Sequence, residues 1–179
     1  MWLLCCLFLS TNALADDRSE YVRLAGEVEV LAKRQAWVGV ERAYVAAVRT
    51  GQPGSFTLHH DGAAASWARG DATATLIRLR RAHHLREDRH VVEWMYRIEH
   101  NFGEVELQLE PGLQLTRLDG KAFDPEAVRV VDSARAQIEA TGRFQGLIPM
   151  GTYTVGVHQF KVGSEPVTLN WAPEERRKR

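Results

Sequence analysis

Residues 91–110, VVEWMYRIEHNFGEVELQLE, change their hydrophobic period partway through. Up to Phe102 the apolar residues Val91, Trp94, Met95, Ile98 and Phe102 recur at the spacing of one helix face. From Gly103 onward Val105, Leu107 and Leu109 alternate with glutamate and glutamine, which is the pattern of a half-buried strand. An element boundary is therefore expected near Phe102, with helices before it and strands after it. The fold class that follows is α+β: an N-terminal antiparallel stack of α-hairpins, then a small antiparallel β-sandwich with one inserted helix.

Backward from the boundary, the helical period continues to Ser19. Tyr21, Leu24, Val28 and Leu31 form one stripe, and Trp37, Val40, Tyr44 and Val48 form a second. The two are out of phase, so a turn is expected near Lys33 to Gln35. Glycine and proline in TGQPG (50–54) end the second helix. A third helix is expected over Phe56 to Trp67. After a turn at Gly70-Asp71, Ala72, Thr75, Leu76, Leu79 and Ala82 mark a fourth, and Val91 to Phe102 the fifth. Short antiparallel helices joined by brief turns make an α-hairpin stack.

Forward from the boundary, Pro111-Gly112 and Asp119-Gly120 are turn pairs enclosing Leu113, Leu115 and Leu118. A helix over 124–140 is expected, with Asp124 as N-cap, Pro125 at the first helical position, Gly142 past the end, and Val128, Val131 and Ile138 as its buried stripe. Phe144, Leu147, Tyr153, Val155, Phe160 and Val162, punctuated by glycines, read as short hairpin strands. Val167, Leu169 and Trp171 supply a last strand. The expected division is 1–15 signal peptide, 16–101 helical domain, 102–171 β-sandwich module and 172–179 disordered basic tail.

Residues 1–15, MWLLCCLFLSTNALA, carry an apolar run from Trp2 to Leu9 followed by Ala13-Leu14-Ala15, the A-x-A form that signal peptidase reads. The run falls well short of the ~20 residues a membrane span needs. No lysine or arginine precedes it. Cleavage after Ala15 gives an exported chain, periplasmic or extracellular, with no transmembrane segment. It also removes Cys5 and Cys6, the only cysteines, and with them any thiolate chemistry. The 179 residues hold 23 basic and 23 acidic side chains, so no net charge draws the chain to nucleic acid. Hydrophobic residues at 45% argue against disorder.

In the helical half, Trp37 with Tyr44, Gly62-Ala63, Gly70-Asp71, Leu79 and Ala82 stand at offsets that resemble tetratricopeptide repeats, over roughly Ser19 to His100. Thr75 and Glu87 depart from that pattern, where alanine and proline are usual. In the other half FQGLIPMGTYTVGV (144–157) resembles PEGA and carboxypeptidase-regulatory, transthyretin-like modules, in which a Phe-containing strand leads through a Pro-x-Gly turn to a Tyr-containing strand. The inserted helix is not standard there. Together the halves resemble bacterial envelope proteins, and the resemblance implies binding or scaffolding rather than catalysis.

The chemistry-bearing residues point the same way. The seven histidines include the adjacent pairs His59-His60 and His83-His84, but none forms H-x-x-x-H on one helix face or HExxH. Glu93 and Glu99 read as a solvated face, and neither a nucleophile elbow nor a phosphate loop occurs. No catalytic, cofactor or metal residue is expected. The aromatic residues Trp37, Tyr44 and Trp67 lie on apolar stripes where core packing is the default; the sharper expectation is that some line a groove for an extended peptide. Arg78, Arg81 and Arg86 are expected on a polar face that would suit an acidic protein segment. The functional expectation is a non-enzymatic exported adaptor that binds envelope proteins through its helical stack. A glycan- or cell-wall-binding accessory module and a histidine-based metal-binding protein are the alternatives.

Overall fold

The computed structural model describes residues 6–119 and 124–171, with residues 6–16 described only as helical backbone. The expected tail at 172–179 and residues 1–5 of the expected signal segment lie outside the described residues. The helices are α1 (Cys6–Lys33), α2 (Trp37–Arg49), α3 (Phe56–Ala68), α4 (Ala72–Leu85), α5 (Arg89–Asn101) and α6 (Pro125–Thr141). The strands are β1 (Phe102–Gln108), β2 (Leu115–Arg117), β3 (Arg143–Pro149), β4 (Gly151–Val155), β5 (His158–Val162) and β6 (Val167–Asn170). The chain is thus mixed α+β, and helix gives way to strand at Phe102 as the change of period requires.

Side-chain caps start the helices where the sequence places them. Ser55 accepts from the Leu58 N–H, Asp71 from Ala74, Asp88 from His90 and Val91, and Asp124 from Glu126 and Ala127. Each satisfies backbone donors that a helix start leaves open, worth about 1 kcal/mol per cap. α6 ends on Gly142 in the left-handed region at φ 67°, and a Cβ there would also meet the Leu109 carbonyl at 2.3 Å. Only glycine meets both conditions.

The strands form two three-stranded sheets, ordered β3-β1-β6 and β2-β4-β5, and neither closes into a barrel. Pairing is antiparallel except between β1 and β6, which run parallel. The alternation of Val167 and Leu169 identifies β6 as a strand but is silent about direction and partner. β6 returns from the second sheet to the far edge of the first, so its pairing is non-local.

Packing divides into two cores. Leu24, Val28, Val40, Ala43, Tyr44 and Ala47 of α1 and α2 enclose Leu58 and Ala65 of α3. The larger core joins Ala63 and Trp67 of α3 to α4, α5, α6 and both sheets through Leu79, Ile98, Phe102, Val105, Ile138, Ile148 and Tyr153. α3 is therefore the shared wall, which is why its sequence is apolar or small nearly all round rather than striped. The larger core passes straight through Phe102.

Two apolar positions differ from the expected stripes. Val128 is exposed, because the buried face of α6 is Ala127, Val130, Val131, Ala134 and Ile138. Val48 is likewise exposed beside a buried Ala47. In both cases the alanine beside the valine takes the inward position.

Candidate functional site

A cleft of about 570 Å³ opens between α4 and the outer face of the β3-β1-β6 sheet. Thr73, Leu76, Ile77 and Arg80 of α4 form one wall, Glu104, Gln145 and Leu147 the floor, and Ser164 and Pro166 the far rim. Ile77 is nearly half exposed, so an apolar side chain faces the opening. Arg80 spans the α4–α5 seam to Glu99 at 2.8 Å, an exposed pair worth little to stability. Glu104 and Glu106 share this sheet face and make no ion pair among the described residues.

The β1–β3 register decides which backbone groups meet the cleft. The Leu109 N–H donates to the Gly142 carbonyl at 2.7 Å, and the Met150 N–H to the Asn101 carbonyl at 2.8 Å. Hydrogen-bonded pairs alternate in an antiparallel ladder, so 103–148, 105–146 and 107–144 are bonded as well. Arg143, Gln145 and Leu147 therefore turn their N–H and C=O groups away from β1, toward the open edge. Thr141 Oγ1 accepts the Arg143 N–H at 3.1 Å, and its one hydroxyl proton faces the Gln137 carbonyl at 2.8 Å and the Arg143 carbonyl at 3.1 Å. Thr73 Oγ1 accepts the Leu147 N–H at 2.8 Å. Gln145 keeps both of its backbone groups without a partner among the described residues.

The expected binding residues are distributed differently. Tyr44 (3% exposed) and Trp67 (8%) are core residues, and Trp37 packs against the smaller core. Trp37 is half-buried, and Trp67, though nearly covered, also lines the second cleft described below; the stripes that carry them pack inward. Arg78 is also corrected: it is 8% exposed and lies inside the stack, off the polar face. Its guanidinium donates to both Glu41 oxygens at 2.6 and 2.7 Å and to the Gly62 carbonyl at 2.8 Å, and it lies 4.0 Å from the Tyr44 ring centre. Position 78 sits between Leu76 and Leu79, and Gly62 leaves room for the Tyr44 ring beside which the guanidinium lies. Arg81 is exposed as expected, and Arg86 is exposed over the Phe56 ring at 3.4 Å.

Around Arg78 lies a buried polar cluster joining α2, α3 and α4. Tyr44 Oη is 3.1 Å from His59 Nδ1. Arg78 holds the Glu41 carboxyl below its usual range through its hydrogen bonds, against the opposing effect of burial. Burial first, then the charges of Arg81 and Arg78, depress the affinity of His59 for a proton. Gly54 presses backbone against the same ring, and a Cβ there would meet His59 Nε2 at 2.2 Å. The cluster is largely buried and joins α2, α3 and α4, a structural joint between the two cores.

The other histidines are apart from it. His60 stacks on Phe56 and meets Trp94 edge-on, in an aromatic chain that continues through Trp67 to Phe102. His100 stacks on Tyr96 at 3.7 Å and His158 on Trp171 at 3.7 Å. No three His, Cys, Asp or Glu side chains are grouped to hold a metal ion among the described residues. Glu93 is paired with Arg89 and Glu99 with Arg80, both on exposed surface. A second cleft of about 370 Å³, lined by Arg97, His100, Arg117 and Glu126, mixes both signs of charge. Among the described residues no helix is long and apolar enough to cross a membrane.

Sequence reasoning passes over Thr73, Glu104 and Gln145. The alternation in β1 does mark Glu104 as outward, but nothing in the period says that β3 is an edge or that α4 lies beside it. No family model, curated protein or solved structure matches the chain.

Proposed function

We propose that the chain is a non-enzymatic, exported adaptor that holds a segment of a partner protein in the cleft between α4 and the β3-β1-β6 sheet. The observation that carries this reading is the cleft: a wall on which the apolar Ile77 is exposed above the nearly covered Leu76, beside a floor where the Gln145 backbone has no partner among the described residues. Apolar contact gives affinity there and backbone pairing gives orientation, the combination by which proteins hold extended segments. Export follows from reading 1–15 as a signal peptide. The comparison with tetratricopeptide repeats and PEGA-like modules is consistent with helices α2 to α5, of 13 or 14 residues each, set before a strand-rich half. The binding surface is moved from the aromatic positions of the stack, which are buried, to the helix–sheet seam.

A photo-crosslinking side chain at Ile77 tests the reading against one at Val22, which is exposed on α1 and does not line the cleft. In an envelope preparation the Ile77 probe is expected to join the chain to a discrete partner that the Val22 probe does not capture. Equal capture at both positions overturns the proposal.

A further inference from the structure

The cleft also says how a segment would lie in it. Along the outer edge of β3, Thr141 Oγ1 takes up the N–H of Arg143, and Thr73 Oγ1 takes up the N–H of Leu147. Between these two stoppers Gln145 presents an N–H and a C=O, and the Leu147 carbonyl points the same way. Edge strands with free ladder groups are templates for another strand, and proteins that do not use them blunt or cover them. Here both flanks are covered and the centre is left open, directly over a cleft that can hold the added chain.

The charges on the floor favour one kind of segment. Across from Gln145 and Leu147, on the same sheet face, stand Glu106 and Glu104. Neither has an ion-pair partner among the described residues. Neighbouring strands are ~4.8 Å apart, so a lysine or arginine on an added strand reaches across β3 to these carboxylates. An acidic side chain there would face two uncompensated like charges.

We infer that β3 takes up an extended, basic polypeptide segment of a partner as an added antiparallel strand. The residue opposite Gln145 exchanges both backbone hydrogen bonds with it. Basic side chains on the sheet face meet Glu104 and Glu106, while an apolar one packs on Ile77. This inference rests on the adaptor reading and specifies the partner's chemistry. It concerns a different surface from Arg81 and Arg86, which would attract acidic chains.

The probes are short synthetic peptides in which lysine alternates with valine or threonine, their counterparts with glutamate for lysine, and lysine peptides N-methylated at alternate backbone nitrogens. The full chain is used, with binding followed by anisotropy and the Gln145 amide by hydrogen exchange. The lysine peptides are expected to bind at least about tenfold more tightly than either counterpart and to slow exchange of the Gln145 amide about tenfold or more. The double variant Glu104→Lys, Glu106→Lys, altered only on the sheet's outer face, is expected to prefer the glutamate peptides. Absence of binding, binding without protection of Gln145, or an unchanged preference in the double variant overturns the inference. If Ile77 still crosslinks a discrete partner in that event, the adaptor reading stands and only the strand-addition mode falls.

Discussion

Arg78 of α4 and Glu41 of α2 form a two-pronged ion pair, Nη1 to Oε2 at 2.6 Å and Nη2 to Oε1 at 2.7 Å. The side chain passes Gly62 of α3 on the way and donates to its carbonyl. One residue of the larger core's helix thereby grips the layer formed by α1 and α2. The guanidinium is 9% exposed and the carboxylate 20%, so water screens the pair little and the loss of either partner leaves a charge stranded.

Arg78→Met is expected to destabilise the chain by about 3–5 kcal/mol in urea denaturation, because Glu41 is left buried without its cation. Adding Glu41→Leu to that variant is expected to recover most of the loss. A double variant no more stable than the single one would show that the guanidinium acts mainly through Gly62 and Tyr44.

Two glycines in helices are expected to respond oppositely to alanine. At Gly26 of α1 a Cβ meets nothing within 4 Å, so Gly26→Ala gains helix propensity of about 1 kcal/mol. At Gly62 a Cβ meets the Tyr44 ring at 2.4 Å, and crowding of this kind costs about 1–3 kcal/mol. Thermal denaturation of the two variants should therefore move the midpoint up for Gly26→Ala and down for Gly62→Ala.

His59 gives the fold a dependence on pH. Within the fold its proton affinity is depressed by burial and by the cations of Arg81 and Arg78, with Tyr44 as its hydrogen-bond partner. The unfolded chain therefore takes up the proton first as pH falls. The stability His59 contributes is complete above the ordinary imidazole value of about 6.5 and is lost as pH falls from there toward the folded value. Stability of His59→Gln, followed by denaturation from about pH 7 to pH 5.5, should fall less steeply than that of the parent, by up to ~1.4 kcal/mol per pH unit. Parallel curves would refute this.

Trp67 and Arg81 separate interior from surface. Trp67 touches Trp94 and Phe102 edge-on at 6.0 and 5.7 Å, so Trp67→Ala should cost about 3–5 kcal/mol, whereas exposed Arg81→Ala should change stability by less than about 0.5 kcal/mol. Chemical denaturation measures both.

Element types and positions were largely legible in the sequence because they follow from local signals. Asp124 marks a helix start, Gly142 a helix end, Gly70-Asp71 the turn before α4, and the change of period at Phe102 the passage from helix to strand. What could not be read is pairing across distance. The same alternation that makes Val167 to Leu169 a strand fits either direction, and β6 runs parallel. Arg78 shows the related limit on the site: a charged residue next to an apolar stripe reads as solvated unless its distant partner is known. Glu41 lies 37 residues away. The open edge at Gln145 was invisible for a similar reason, since being last in a sheet is a property of the sheet and not of the strand.

α3 gives one face to each core, so the molecule has a built-in order of opening. The layer of α1 and α2 can lift away at the expense of the smaller cluster and the Arg78 grip, while Trp67 keeps α3 seated against α4, α5 and β1. Transient exposure is thereby confined to the end of the molecule away from the β3 edge, and the helix–sheet seam persists through such excursions.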